Sequence, residues 1–180
     1  MRIVSKKECH SWVSSKARIP FSWSALAGVY GHSAAYLLPR DAGRRTAVAR
    51  ELSALIDRSG EGLLWITEWG ASPSSENMPL FHGYRRSLQE DRPLGAAPGH
   101  LFEDSDIREL ECLLDLVLYF FWSASLIDAG STWLRITHEL LTVHTRDSAV
   151  LTSWQASLAG FELAEFQVSR PQRLLSVPSS

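Results

Sequence analysis

The sequence predicts an α+β domain whose mainly antiparallel sheet packs around one central apolar helix at about 106–122. Three observations predict it. Helical and strand patterns interleave without the regular alternation that builds parallel sheets. The stretches 123–128 and 133–145 flank the turn Ala129-Gly130-Ser131 and have the composition of a hairpin. Between 116 and 122 the run LVLYFFW is apolar on every side, as a helix through the middle of a fold requires. With 180 residues, 45% of them hydrophobic and 21% charged, the chain can bury about 70% of its unfolded surface. One domain over 1–168 and a flexible C-terminal tail at 169–180 are expected.

Each element has a local cause. Ser5 and Glu8 have capping-box spacing, so a short helix is expected over 6–15. Pro20 and the Tyr30-Gly31-His32 break make 18–38 mostly loop, with a strand at 36–38 closed by Pro39. Asp41 can cap a helix over 42–58, with Val48, Leu52, Leu55 and Ile56 as its apolar stripe and Arg44, Arg45, Arg50, Glu51 and Arg58 on its wet side. Ser59-Gly60 stops it. The β-branched and aromatic stretch 63–69 is a strand. Pro79 is tolerated in the first turn of a helix over 78–88. The segment 91–99, with two prolines and two glycines, is a loop. Asp104 or Ser105 can cap the central helix, whose first turns carry acids where the helix dipole favours them. Asp147 can cap a last helix through about 158, and 161–168 can add a closing strand.

Composition excludes several classes. Cys9 and Cys112 lie far apart and form no CxxC pair, which favours a reducing cytoplasm. The start MRIVSKKECHSW has no apolar stretch behind its basic residues, so no signal peptide is expected. The run at 116–122 falls far short of the ~20 residues a membrane helix needs. A net charge of −2 argues against strong non-specific nucleic-acid binding. All three lysines, Lys6, Lys7 and Lys16, fall in the first 16 residues.

The most informative stretch is LLWITEWGASPSSENMPLFH at 63–82, a rigid strand passing into a polar turn, where sites tend to sit. Glu68 at the strand's end, Glu76 at the mouth of the next helix, His82 along it and His100 after the Pro/Gly loop form a possible acid–base or metal-holding cluster. Arg85 and Arg86 could add an anion contact. The alternative is that Glu76 and Asn77 cap the helix while His82 makes a structural hydrogen bond. Gly31-His32-Ser33-Ala34-Ala35 resembles a nucleophile elbow, but Pro39 follows too soon for the long helix an elbow needs. His138 and His144 on one strand would stand about 20 Å apart, too far to share a metal; a bend at Glu139-Leu140, where the apolar alternation changes phase, could shorten the gap, but partly exposed strand histidines are the preferred reading. No cofactor and no metal is expected. Glu103, Asp104, Asp106, Glu109, Glu111 and Asp115 stand against Arg108 alone, an acidic face able to dock on a basic partner.

WITEWGASPSSEN at 65–77, APGHLF at 97–102 and WSASLI at 122–127 resemble an uncharacterised family of small bacterial proteins. The resemblance covers roughly 63–128, about a third of the chain. It implies a strand, a Gly-x-x-Pro-Ser-Ser-Glu-Asn turn, a Pro-Gly-His loop and a long helix, and it implies no activity or catalytic residue.

Two functions are consistent with these readings. The preferred one is a non-enzymatic protein-binding module, most concretely an immunity-type inhibitor that neutralises a bacterial toxin in the cytoplasm. Its binding residues would be Trp69, Glu76, Asn77, Glu103, Asp104, Asp106 and Glu109, and its partner a protein such as a basic toxin domain. The alternative is a small hydrolase-type enzyme using Glu68, Glu76, His82 and His100, which requires those four side chains to converge.

Overall fold

The computed structural model describes residues 1–17, 29–56, 60–69, 78–130, 132–161 and 165–166. Over them the chain runs β1 (Arg2–Val4), α1 (Lys6–Trp12), a π-helical turn (Val13–Ala17), β2 (His32–Leu37), α2 (Ala42–Leu55) and β3 (Gly62–Glu68). There follow α3 (Met78–Ser87), β4 (Gly99–Phe102), a 3₁₀ turn (Asp104–Asp106), α4 (Ile107–Tyr119), β5 (Ser123–Ile127), β6 (Thr132–Ile136), β7 (Leu140–Thr145), α5 (Ser148–Ala159) and β8 (Glu165–Phe166). The fold is α+β. The strands form one sheet in the order β1-β4-β3-β5-β6-β7-β2-β8, and every pairing is antiparallel.

Helix starts follow the capping chemistry. Ser5 and Glu8 close a full capping box on α1, Asp41 accepts from the Arg44 N–H at 2.9 Å, and Asp147 accepts from the Ala149 N–H at 2.8 Å. The sheet is covered on both faces. On one face, Leu64 and Ile66 of β3, Ala124 and Leu126 of β5 and Leu134 and Ile136 of β6 meet the helices α2, α3, α4 and α5. On the other, Leu63, Trp65, Ile127 and Trp133 meet α1 and the π-helical turn through Cys9, Trp12 and Val13. Gly99 allows that second contact, because a Cβ there would lie 2.3 Å from the Cys9 sulfur and 2.7 Å from Val4 Cγ2.

Helix α4 buries Leu110, Leu113, Leu114, Val117 and Leu118, a helical i, i+3, i+4 stripe, against the sheet and α2. Each such side chain contributes about 1.5–3 kcal/mol by leaving water. The expected helix is three residues too long at its C-terminal end, and it is not surrounded on every side. It stops at Tyr119, and both Tyr119 and Phe121 face solvent at 51% and 48% exposure. Phe121 adopts φ 56°, and the Trp122 N–H returns to the Val117 carbonyl at 2.9 Å, so the helix closes in a Schellman turn with phenylalanine where glycine is usual.

Other expectations also shift. The wet side assigned to α2 includes Arg45, yet Arg45 is buried and donates to the Pro39 carbonyl at 2.6 Å and to the Leu118 carbonyl at 2.8 Å. It thereby satisfies a backbone acceptor left open at the end of α4. Strand β2 begins at His32, so Gly31 to Ala35 run into a strand and form no nucleophile elbow. The 133–145 strand breaks at a turn in which Thr137 and Leu140 bond each other, leaving His138 exposed on the turn and His144 half-buried in β7. Phe161 stays outside the closing strand, which among the described residues is Glu165–Phe166. The tail expected at 169–180 lies outside the described residues. Among the described residues, no helix is long and apolar enough to cross a membrane.

Candidate functional site

The concave site sits where β3, β5 and β6 end together. Up to Ile66, β3 pairs regularly with β5, with Trp65 opposite Ser125 and Ile66 opposite Ala124. The next pair is Glu68 with Ser123, so Thr67 is an extra residue in a β-bulge. The bulge reverses the alternation beyond it. Glu68 turns to the face of Trp65, where its carboxylate accepts the Ser123 hydroxyl at 2.9 Å. Trp69 turns to the helix side, 4.8 Å from the Trp122 ring and 5.6 Å from Phe81. Thr67 secures the bulge by donating its hydroxyl to the Ser123 carbonyl at 3.2 Å.

A cleft of about 560 Å³ opens at this end of the sheet. Trp65, Ile66, Trp69 and Ile136 supply apolar wall, while Thr67, Ser123 and Thr137 supply hydroxyls. Among the described residues, Lys6 from α1, Arg135 from β6, His138 from the following turn and the Glu68 carboxylate stand at it. Gly95 and Pro98 close it from the Pro/Gly loop. His138 also borders a second cleft, about 390 Å³, formed by Leu37, Leu38, Arg40, Arg45, Phe121 and Glu139. There the Arg45 guanidinium lies 3.8 Å from the centre of the Phe121 ring.

The proposed acid–base cluster does not assemble. His100 pairs with Leu64 and lies on the helix-side face, whereas the bulge puts Glu68 on the opposite face, so the sheet separates them. His82 is exposed, although its neighbour Phe81 points inward against the His100 ring at 6.3 Å. Glu76 and Asn77 lie outside the described residues. Among the described residues no group of three or more His, Cys, Asp or Glu is placed to hold a metal.

The acidic face is partly consumed by internal contacts. Asp106 binds the Met1 amino group and accepts the Glu103 N–H, Glu111 pairs with Arg50 at 3.2 Å, and Asp115 accepts the Thr46 hydroxyl at 2.8 Å. Glu103, Asp104 and Glu109 remain exposed. They stand at the far end of α4 from Phe121, about 20 Å away along the helix. Sequence reasoning overlooked Lys6, Arg135 and Phe121. Arg135 had a signal, being the single charge in the apolar strand TWLRI.

His100 is fully buried, and neither ring nitrogen finds a hydrogen-bond partner. Burial first, and then the Arg85 guanidinium, push its pKa from 6.5 down to about 4; the nearby Leu64 and Pro98 carbonyls oppose that shift without reaching bonding geometry. The unfolded chain therefore takes up a proton that the folded ring refuses. Stability is full above pH 6.5, falls as the pH drops towards 4, and levels off below, with a total loss of roughly 3 kcal/mol. His144, also lowered by burial, acts in the same sense. Urea denaturation at pH 7 and pH 4.5 measures the loss. His100→Leu should remove most of it and leave stability at pH 7 unchanged or higher, since two unpartnered buried nitrogens disappear.

No family model, curated protein or solved structure matches the chain.

Proposed function

We propose that the chain is a non-enzymatic protein-binding module, most concretely an immunity-type inhibitor that neutralises a bacterial toxin domain in the cytoplasm. The observation that carries the reading is Phe121. A bulky residue in left-handed backbone costs of order 1–3 kcal/mol, and such strain persists where function needs the side chain. Here the strain presents an aromatic ring to solvent beside exposed Tyr119, next to the cleft that Leu37 and Arg40 complete. Exposed aromatic residues flanked by arginine are the typical anchors of protein interfaces. The exposed carboxylates Glu103 and Glu109, one helix length away, are within the span of a standard interface and suit a basic partner.

Phe121→Gly separates binding from folding. Glycine relieves the left-handed strain but gives up the Arg45 stacking and the half-buried ring, so the two effects oppose and thermal stability should change by no more than about 1 kcal/mol. Affinity purification from the source cells should recover one stoichiometric protein with the unaltered chain. The variant should bind it roughly thirtyfold more weakly, as loss of a central anchor implies. Recovery of no partner while neighbouring genes are expressed, or equal recovery by the variant, overturns the reading.

A further inference from the structure

We propose that the cleft beside Phe121 receives an aromatic side chain flanked by a carboxylate, presented by the protein partner. The inference rests on the protein-binding reading and names the chemistry that this end of the molecule selects.

Preorganisation is the first argument. Arg45 donates to the Pro39 and Leu118 carbonyls at 2.6 Å and 2.8 Å and lays its guanidinium 3.8 Å from the centre of the Phe121 ring. One face of the ring is thus covered, yet Phe121 is 48% exposed, so its other face is open. A wall fixed before binding loses little rotamer freedom when the partner arrives. Enclosure is the second argument. Leu37 and Leu38, at the end of β2, line the same cleft, whose volume of about 390 Å³ lies near the small end of the roughly 300–1,000 Å³ range of ligand sites. Leu37, Tyr119 and Phe121 are the exposed large hydrophobic residues among those described. Two of them share this cleft, and Tyr119 lies two residues from Phe121. Chemistry is the third argument. An incoming ring can stack on Phe121 and also meet the Arg45 guanidinium that lines the cleft, whereas an aliphatic side chain gains neither contact. Arg40 stands exposed at the cleft and makes no hydrogen bond or ion pair among the described residues, so it can receive a carboxylate. Exposed Glu139 on the β6–β7 turn also borders the cleft, so the charge preference belongs to the place beside Arg40 and not to the whole opening.

The probes are three capped dipeptides, acetyl-Glu-Trp-amide, acetyl-Glu-Leu-amide and acetyl-Lys-Trp-amide, titrated into ¹⁵N-labelled protein. Glu-Trp should shift the backbone signals of Phe121 and His138 saturably, with a Kd of about 1 mM or tighter, and leave the indole signal of buried Trp154 in place. Glu-Leu should bind about fivefold more weakly, the amount that aromatic stacking contributes. Lys-Trp should bind about threefold more weakly than Glu-Trp, as an exposed charge contact implies. Arg40→Glu should reverse the order of Glu-Trp and Lys-Trp. Position 40 lies just ahead of α2, where a carboxylate suits the helix dipole, so the fold should survive. Phe121→Gly should erase the preference for tryptophan over leucine. The proposal is overturned if Phe121 does not respond saturably, if Glu-Leu binds as tightly as Glu-Trp, or if Arg40→Glu leaves the order unchanged. The titrations involve no cellular partner, so the two readings fail separately. If the dipeptides fail while Phe121→Gly still loses the recovered protein, the interface stands and this occupant falls. If the dipeptides bind as expected while no protein is recovered, the cleft's preference stands and the inhibitor reading falls.

Discussion

Truncating Trp122 to alanine should lower the free energy of unfolding by about 3–5 kcal/mol. Trp122 is wholly buried and is the hub of the aromatic cluster on the helix side. Phe120 stacks on it at 5.0 Å, and Trp69 and Phe81 meet it edge-on at 4.8 Å and 5.3 Å. Removing the indole leaves a cavity bounded by three rings that are anchored on different elements and cannot collapse together. The same substitution loosens Trp69, so it should also disturb the cleft. Trp122→Phe should cost much less, since it keeps most of the ring volume and deletes an indole N–H that has no partner. Urea denaturation gives both values. Equal losses for the two variants would show that packing is not what Trp122 contributes.

Replacing Arg85 with methionine should cost about 3 kcal/mol, the second large effect. Arg85 is 1% exposed and donates to the carbonyls of Ala97 and Arg92, each at 2.9 Å. These bonds tie the loop between α3 and β4 to the helix that precedes it. Its guanidinium also faces buried Glu90 at 4.0 Å. Arg92 remains on Glu90 after the substitution, holding its carboxyl well below the ordinary range at about 2, so one charge pair survives. The two carbonyls do not find new donors, and that desolvation loss sets the magnitude. Arg85→Lys should rescue little, because one ammonium cannot reproduce a fork that spans two backbone acceptors. Rescue by lysine to within about 1 kcal/mol would mean that charge, not geometry, is what the site requires.

Local signals in the chain were legible because their causes are local. Ser5 with Glu8, Asp41 and Asp147 announce three helices through hydrogen bonds that span two or three residues. The antiparallel α+β class followed from the absence of a βαβ rhythm. Strands β1 and β4 were not legible. Three residues, RIV, and four residues, GHLF, carry no alternation to detect, and GHLF is buried at every position. Strand β2 was read too short because Ser33, Ala34 and Ala35 have little strand preference of their own. The end of α4 was read too long because Phe120, Phe121 and Trp122 continue the apolar run, and no residue type marks the left-handed turn. The candidate site depended on the least visible feature. Counting alternate residues along β3 places Glu68 on the helix-side face with Leu64 and Ile66, and only the extra residue at Thr67 moves it away.

The pairing of β2 with β7 has a consequence for the nascent polypeptide. Tyr36 must meet Leu141, which the ribosome adds about a hundred residues later. At ordinary elongation speeds that is a wait of roughly 5–20 s with β2 out of the exit tunnel and its neighbours unmade. The meander β5-β6-β7 can form first from contiguous chain and then offer an edge to the waiting segment. HSAAYL is well suited to waiting, since a histidine, a serine and two alanines make poor material for self-association.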